Sequence, residues 1–171
     1  MIYSFSNSGF RDPETGVYNQ TYFLEVFNRE WHRHIRDNQS LALLYLCPHI
    51  HETVKQPHLL ELFMKQVQEA IMRTTDLVAR LNQDNFALGL FNIDQKGTQT
   101  VIERIEQKII EFNQNYQTKY TTRIDYELAG YVCKPERDLN IEMLFEDVKK
   151  LSMQLEMQKD KHSEVRSLMP S

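Results

Sequence analysis

Apolar positions recur along this chain with two different periods, and the alternation between them sets out the elements. From Thr21 to Arg36, Phe23, Val26, Phe27, Trp31 and Ile35 fall at helical spacing, which predicts an amphipathic opening helix. The run LALLYL, 41 to 46, is continuously apolar, as a central strand buried on both faces requires, and Pro48 is expected to end it. Between 58 and 72 a second stripe, Leu59, Leu62, Phe63, Val67, Ala70 and Ile71, predicts another helix. Two short strands near 76 to 81 and 85 to 91 then flank a tight turn, Asn82, Gln83 and Asp84, which lacks the glycine such turns favour.

A third helical face follows between Gly97 and Asn113 through Val101, Ile102, Ile105, Ile109 and Phe112. The period becomes two in TRIDYELAGYV, where Ile124, Tyr126, Leu128 and Gly130 alternate with the residues between them. A last helix is predicted from Ile141 to Lys159 with Asn140 as its N-cap. The polar stretch that follows reads as a frayed tail. The order helix, β-α-β-β-α-β, helix is that of an α+β domain with a ferredoxin-like sheet. It spans 11 to 160 as a single unit, with an N-terminal lead at 1 to 10 and the tail at 161 to 171. In that topology the Asn82 to Asn85 turn is expected beside Cys47 to His49.

A length of 171 residues with 41% hydrophobic content is enough for one domain with a real core. The net charge of −4 and the absence of a basic run argue against nucleic acid as a partner. No stretch approaches membrane-spanning length, and Cys47 and Cys133 stand outside any paired spacing. These features predict a soluble protein of a reducing, cytoplasmic compartment.

Four segments, DPETGVYNQTYF (12 to 23), LALLYLCPHI (41 to 50), RTTDLVARLNQDNFALGL (73 to 90) and ELAGYV, resemble GGDEF domains in order and spacing. The resemblance covers roughly residues 11 to 155. It implies the nucleotide-cyclase-like, GGDEF-type version of the α+β sheet, and a place in bacterial cyclic di-GMP signalling. Active members of that family join head to head with bound GTP and use divalent metal, whose hard charge wants carboxylate oxygens. The positions that match the family's metal ligands are Cys47, the carbonyl of Pro48, and Asp84. A thiol is a poor Mg²⁺ ligand, so Cys47 and Asp84 read as remnants of a metal site.

The family's two glycines match Asn82 and Gln83, its fourth letter Asn85, its guanine-reading pair Lys55 and His58, and its late phosphate-binding lysine Gln154. The resemblance therefore implies a domain that does not cyclise GTP. Arg73 and Asp76, in RTTD, match the family's product-binding RxxD site and are the candidate cyclic di-GMP residues. An Arg fork suits guanine O6 and N7, and a carboxylate suits N1–H and N2–H. The same pair would also serve as a local ion pair at a helix end, and both readings stay open.

Cyclic di-GMP as regulatory ligand, a protein partner and a homodimer are the associations the resemblance brings. Three classes of function follow: a regulatory module that senses cyclic di-GMP, a ligand-free interaction module, and a residual cyclase. Arg80 is a candidate assistant to the RTTD pair. Cys47, His49 and His51 alternate and would suit Zn²⁺ together with Asp84, or stand as unrelated surface residues. His32 and His34 read as solvated, and Phe23, Phe27, Trp31 and Phe63 as core. Lys149, Lys150, Lys159 and Lys161 read as a solvated face, and Met143, Met153 and Met157 as core filling or an adaptable stripe for a partner.

Overall fold

The computed structural model describes residues 9–168, so all but the end of the N-terminal lead, and the last three residues, lie outside the described part. Among the described residues nine elements follow one another as α1 (Gln20–Asp37), β1 (Leu41–His51), α2 (Leu59–Gln68), β2 (Leu77–Arg80), β3 (Phe86–Phe91), α3 (Gln95–Tyr120), β4 (Arg123–Cys133), α4 (Ile141–Met157) and β5 (Ser163–Leu168). The strands form one sheet in the order β2-β3-β1-β4-β5, antiparallel except for the last pair. This is the α+β, ferredoxin-like sheet that the periodicities predict.

The apolar run of β1 has its explanation in the two faces of this sheet. Ala42, Leu44 and Leu46 point to one side and pack with Phe63, Met64 and Val67 of α2 and with Ile102, Ile105 and Ile109 of α3. Leu41, Leu43 and Tyr45 point to the other and meet Phe27 and Trp31 of α1 and Val148 and Leu151 of α4. Because successive side chains alternate, a strand covered on both faces cannot place a polar residue at either parity. Phe23, Phe27, Trp31 and Phe63 are buried, as the pattern predicts. Gly89 of β3 is needed for clearance, since a Cβ there would sit 3.1 Å from the Phe91 ring and 3.3 Å from that of Phe27.

Several expectations are corrected. β1 runs through Pro48 to His51, because β3 begins only at Phe86, opposite Leu46, and only β4 pairs with the outer half of the strand. With one neighbour gone, a proline costs no ladder bond on the open side. The polar tail is not frayed: residues 163–168 pair in parallel with the otherwise open edge of β4, and Leu128 donates its N–H to His162 O at 2.8 Å. Val165 and Leu168 of β5 reach the two cores while its polar residues face water, a composition suited to an edge.

In α2, Met64 rather than Leu62 completes the buried stripe. α3 extends past Asn113, where Phe112 stacks on Tyr116 at 4.4 Å and the Asn113 side chain bonds both the N–H and the carbonyl of Ile124. Met143, Met153 and Met157 do not fill the core; all three are exposed on α4, whose buried stripe is Leu144, Val148, Leu151 and Leu155. His34 is buried, not solvated: its Nδ1 bonds Glu30 O at 2.7 Å and its Nε2 accepts from the N–H of Asn92 at 2.9 Å.

Candidate functional site

The β2–β3 turn closes without glycine because a side chain does the work of the backbone. Asn82 Oδ1 accepts from the N–H groups of Asp84 (2.9 Å) and Asn85 (3.0 Å), and Leu81 N–H reaches Asn85 O at 2.9 Å. None of residues 82–85 is among the positive-φ positions, so no left-handed backbone is required.

Arg80, the last residue of β2, fixes the other side of this turn. Its Nε and Nη2 donate to the carbonyls of Asn82 (3.2 Å) and Gln83 (2.7 Å), while Nη1 meets Asp12 (3.1 Å) and Glu14 (2.6 Å). The segment carrying those acids runs alongside β2, with Tyr18 N–H on Val78 O and Arg80 N–H on Tyr18 O. Arg80 is therefore spent on holding the turn and the N-terminal segment together and does not assist the RTTD pair. Burial pushes the Asp12 carboxyl up, but hydrogen bonds from Thr15 and Arg80 outweigh it and hold the group below the usual carboxylate range. Periodicity had no means of finding this network; an Arg ending a strand and an acidic DPETG segment upstream were its only traces.

Cys47 lies where the fold predicts, against the turn. Its Sγ donates to Asn85 Oδ1 at 2.7 Å and stands 3.3 Å from Ser152 Oγ on α4. Burial, with Glu127, Glu156 and Asp84 nearby, pushes the thiol up to about 11 despite the Ser152 hydrogen bond. Asp84 is exposed. A protonated thiol, an amide and one exposed carboxylate do not fit a hard divalent cation, which needs several anionic or carbonyl oxygens.

His49 and His51 face the same side as Cys47 but pair with β4, His49 with Glu127 at 2.7 Å and His51 with Asp125 at 3.1 Å. No group of three or more His, Cys, Asp or Glu able to hold a metal ion occurs among the described residues. Lys55 is exposed, His58 pairs with Glu61 at 3.2 Å, and Gln154 contacts Arg166 of β5.

Cys133, buried at the end of β4, is pushed up to about 12 by burial and by Glu136. Both cysteines are free thiols, and both are protonated at neutral pH. Alkylation of the native protein by iodoacetamide at pH 8 is expected to run about a hundredfold slower than that of the urea-unfolded chain. Mass spectrometry of timed samples checks this, and rapid labelling of Cys47 would contradict its placement.

Arg73 and Asp76 are brought together at the opposite end of the hairpin. Nε and Nη2 of Arg73 meet the two carboxylate oxygens of Asp76 at 3.1 and 3.2 Å. Nη2 also donates to Phe91 O at 2.6 Å and Nη1 to Asn92 O at 3.3 Å, while Asp76 accepts from Phe91 N–H at 3.1 Å. The pair thus clamps the end of β3. The Asp76 side chain is 3% exposed and that of Arg73 43%, so the arginine side chain is partly open to solvent while the carboxylate is covered.

A helix-covered α+β sheet, with a β2–β3 turn set against the far half of its central strand, is a nucleotide-cyclase-like domain. Residues 10–162 match the family model for the diguanylate cyclase, GGDEF domain, and the chain belongs to that family. Among solved structures it is similar to a DGC protein from Thermotoga maritima (22% identity, 82% of this chain and 99% of that one, TM-score 0.62). It is also similar to the diguanylate cyclase SiaD of Pseudomonas aeruginosa, solved with its activator SiaC (16%, 98% and 65%, TM-score 0.73). A third is the coiled coil and GGDEF domain of DgcB from Caulobacter crescentus, solved with cyclic di-GMP (11%, 98% and 90%, TM-score 0.65). No curated protein matches the chain. Among the described residues no helix is long and apolar enough to cross a membrane.

Proposed function

We propose that this GGDEF domain is a regulatory module of cyclic di-GMP signalling that does not cyclise GTP, reads cyclic di-GMP through Arg73 and Asp76, and acts on a protein partner. The observation that carries the loss of cyclisation is Cys47, a protonated thiol bonded to Asn85 where the family's chemistry calls for a hard anionic ligand. Asn82 and Gln83 support the same reading, because they stand where the family's glycines let the backbone approach phosphate.

The ligand class is that of the DgcB complex, and the partly exposed Arg73 side chain is suited to it. A guanine would exchange O6 and N7 for the Phe91 and Asn92 carbonyls that the Arg73 fork now holds. Asp76 is covered until that exchange takes place.

Isothermal titration of the purified chain with cyclic di-GMP, with GTP in parallel, tests the reading. Binding of cyclic di-GMP is expected, and Arg73→Lys, which keeps a cation over Asp76 but loses the planar fork, is expected to weaken it at least about tenfold. Absence of heat with either nucleotide would make the chain a ligand-free interaction module. Formation of cyclic di-GMP from GTP with Mg²⁺ or Mn²⁺ would overturn the loss of cyclisation.

A further inference from the structure

One surface takes no part in the turn or the RTTD clamp and is built from α1, the start of α4 and the segment that leads into it. Two clefts share Asn28 and Ile141 and so form one groove: one of about 440 Å³ between α1 and the first turns of α4, and one of about 460 Å³ between α1 and residues 136–140, which lead into α4. Leu24 (41% exposed), Phe145 and Ile141 give its first half an apolar floor, and Ile35 and Leu139 continue it. Phe145 is held in place edge-on to the buried Phe27 ring at 5.4 Å, so the floor is preformed.

The rim is mainly acidic. Glu142 and Glu146 border the first cleft, Glu136 and Asp138 the second, with Arg137 the lone arginine or lysine in either lining. No ion pair among the described residues involves any of these four carboxylates, so the acidic edge is not neutralised from within the chain. An apolar floor with four uncompensated carboxylates along its edges is complementary to a helix with one apolar stripe and lysines or arginines beside it. From Leu24 to Ile35 the groove follows about three turns of α1, which sets the length of the partner segment.

We infer that the α1–α4 groove is a docking site for a basic amphipathic helix of a partner protein. A second copy fits less well, because a two-fold contact through this groove would set the same carboxylates against one another. The inference rests on the regulatory reading only for the existence of a partner. The groove lies apart from Arg73, so each can fail without the other.

The test is fluorescence anisotropy with three labelled peptides of about 14 residues, titrated with the full chain. One carries leucines at i, i+3, i+4 and i+7 among lysines, the second scrambles that composition, and the third replaces lysine with glutamate. The patterned lysine peptide is expected to bind at least about tenfold more tightly than either control. Leu24→Asp, at an exposed position, and Glu142→Lys/Glu146→Lys should each weaken it by a similar factor while leaving cyclic di-GMP titration and the circular dichroism spectrum unchanged. Equal binding of the scramble, or indifference to both variants, overturns the proposal. So does a dimer in light scattering that Leu24→Asp dissociates, since the occupant would then be a second copy.

Discussion

Arg80→Ala is expected to destabilise the domain by about 2–4 kcal/mol, although no periodic feature of the sequence marks that residue. Its guanidinium serves two turn carbonyls and two carboxylates, and it lies 5.4 Å from the Phe86 ring. Truncation removes all of these at once and leaves Asp12, whose side chain is largely buried, with only Thr15 as donor. Glu14 is exposed and accounts for little of the loss. Urea unfolding followed by circular dichroism measures the change, and an unaltered midpoint would rule out the network as a structural hub.

The same network gives the stability a defined dependence on pH. The Asp12 carboxyl titrates lower in the folded chain than in the unfolded one, so its contribution is complete above the unfolded carboxylate value, about 4. It is lost as pH falls through the lower, folded value. The wild-type chain is therefore expected to lose more stability than Arg80→Ala on acidification below about pH 4. Unfolding midpoints at pH 7 and in the acid range separate the two.

Asp76→Ala is expected to cost about 2–3 kcal/mol, more than Arg73→Ala, and the double variant to cost less than the sum. The asymmetry follows from burial. Loss of Asp76 strands the Phe91 N–H at the end of β3 and removes the acceptor of two Arg73 bonds, while Arg73 itself can turn to solvent. Loss of Arg73 leaves a covered carboxylate that retains one donor. A double-mutant cycle in urea gives the coupling, expected at about 1–2 kcal/mol; strict additivity would mean that the Arg73–Asp76 pair itself contributes nothing to the fold. This structural role is why ligand binding is best probed with Arg73→Lys, in which the cation over Asp76 survives.

Helices and central strands were readable from the sequence because each buries a wide apolar face, and burial imposes a period. Misreadings fell where burial was partial. β5 has two inward residues in six and pairs through its backbone, which leaves no apolar stripe to read. His34 is different: it lies on the helical stripe of Phe27 and Trp31, which His32 does not, but a polar residue there has no local partner, and the Asn92 N–H that its ring accepts comes from a segment far from it in sequence. Pro48 is tolerated only because β3 does not begin until Phe86, opposite Leu46, a fact of the neighbouring strand.

The site divides in the same way. The neighbourhood of Cys47 and the hairpin turn followed from topology, and the RTTD pair from its motif. What the pair is bonded to did not follow, since Arg73 fastens Asp76 to the carbonyls of Phe91 and Asn92.

By itself, then, the sequence determined the order of elements from α1 to α4 and the two-faced sheet, because local period and residue type act over a few residues at a time, while the family followed from the resemblance of four segments in order. Only the tertiary structure decided which polar groups are spent on one another, Arg80 on Asp12, Cys47 on Asn85, His34 on Asn92. Hydrogen bonds between residues distant in sequence depend on distances and angles that the packed chain alone supplies.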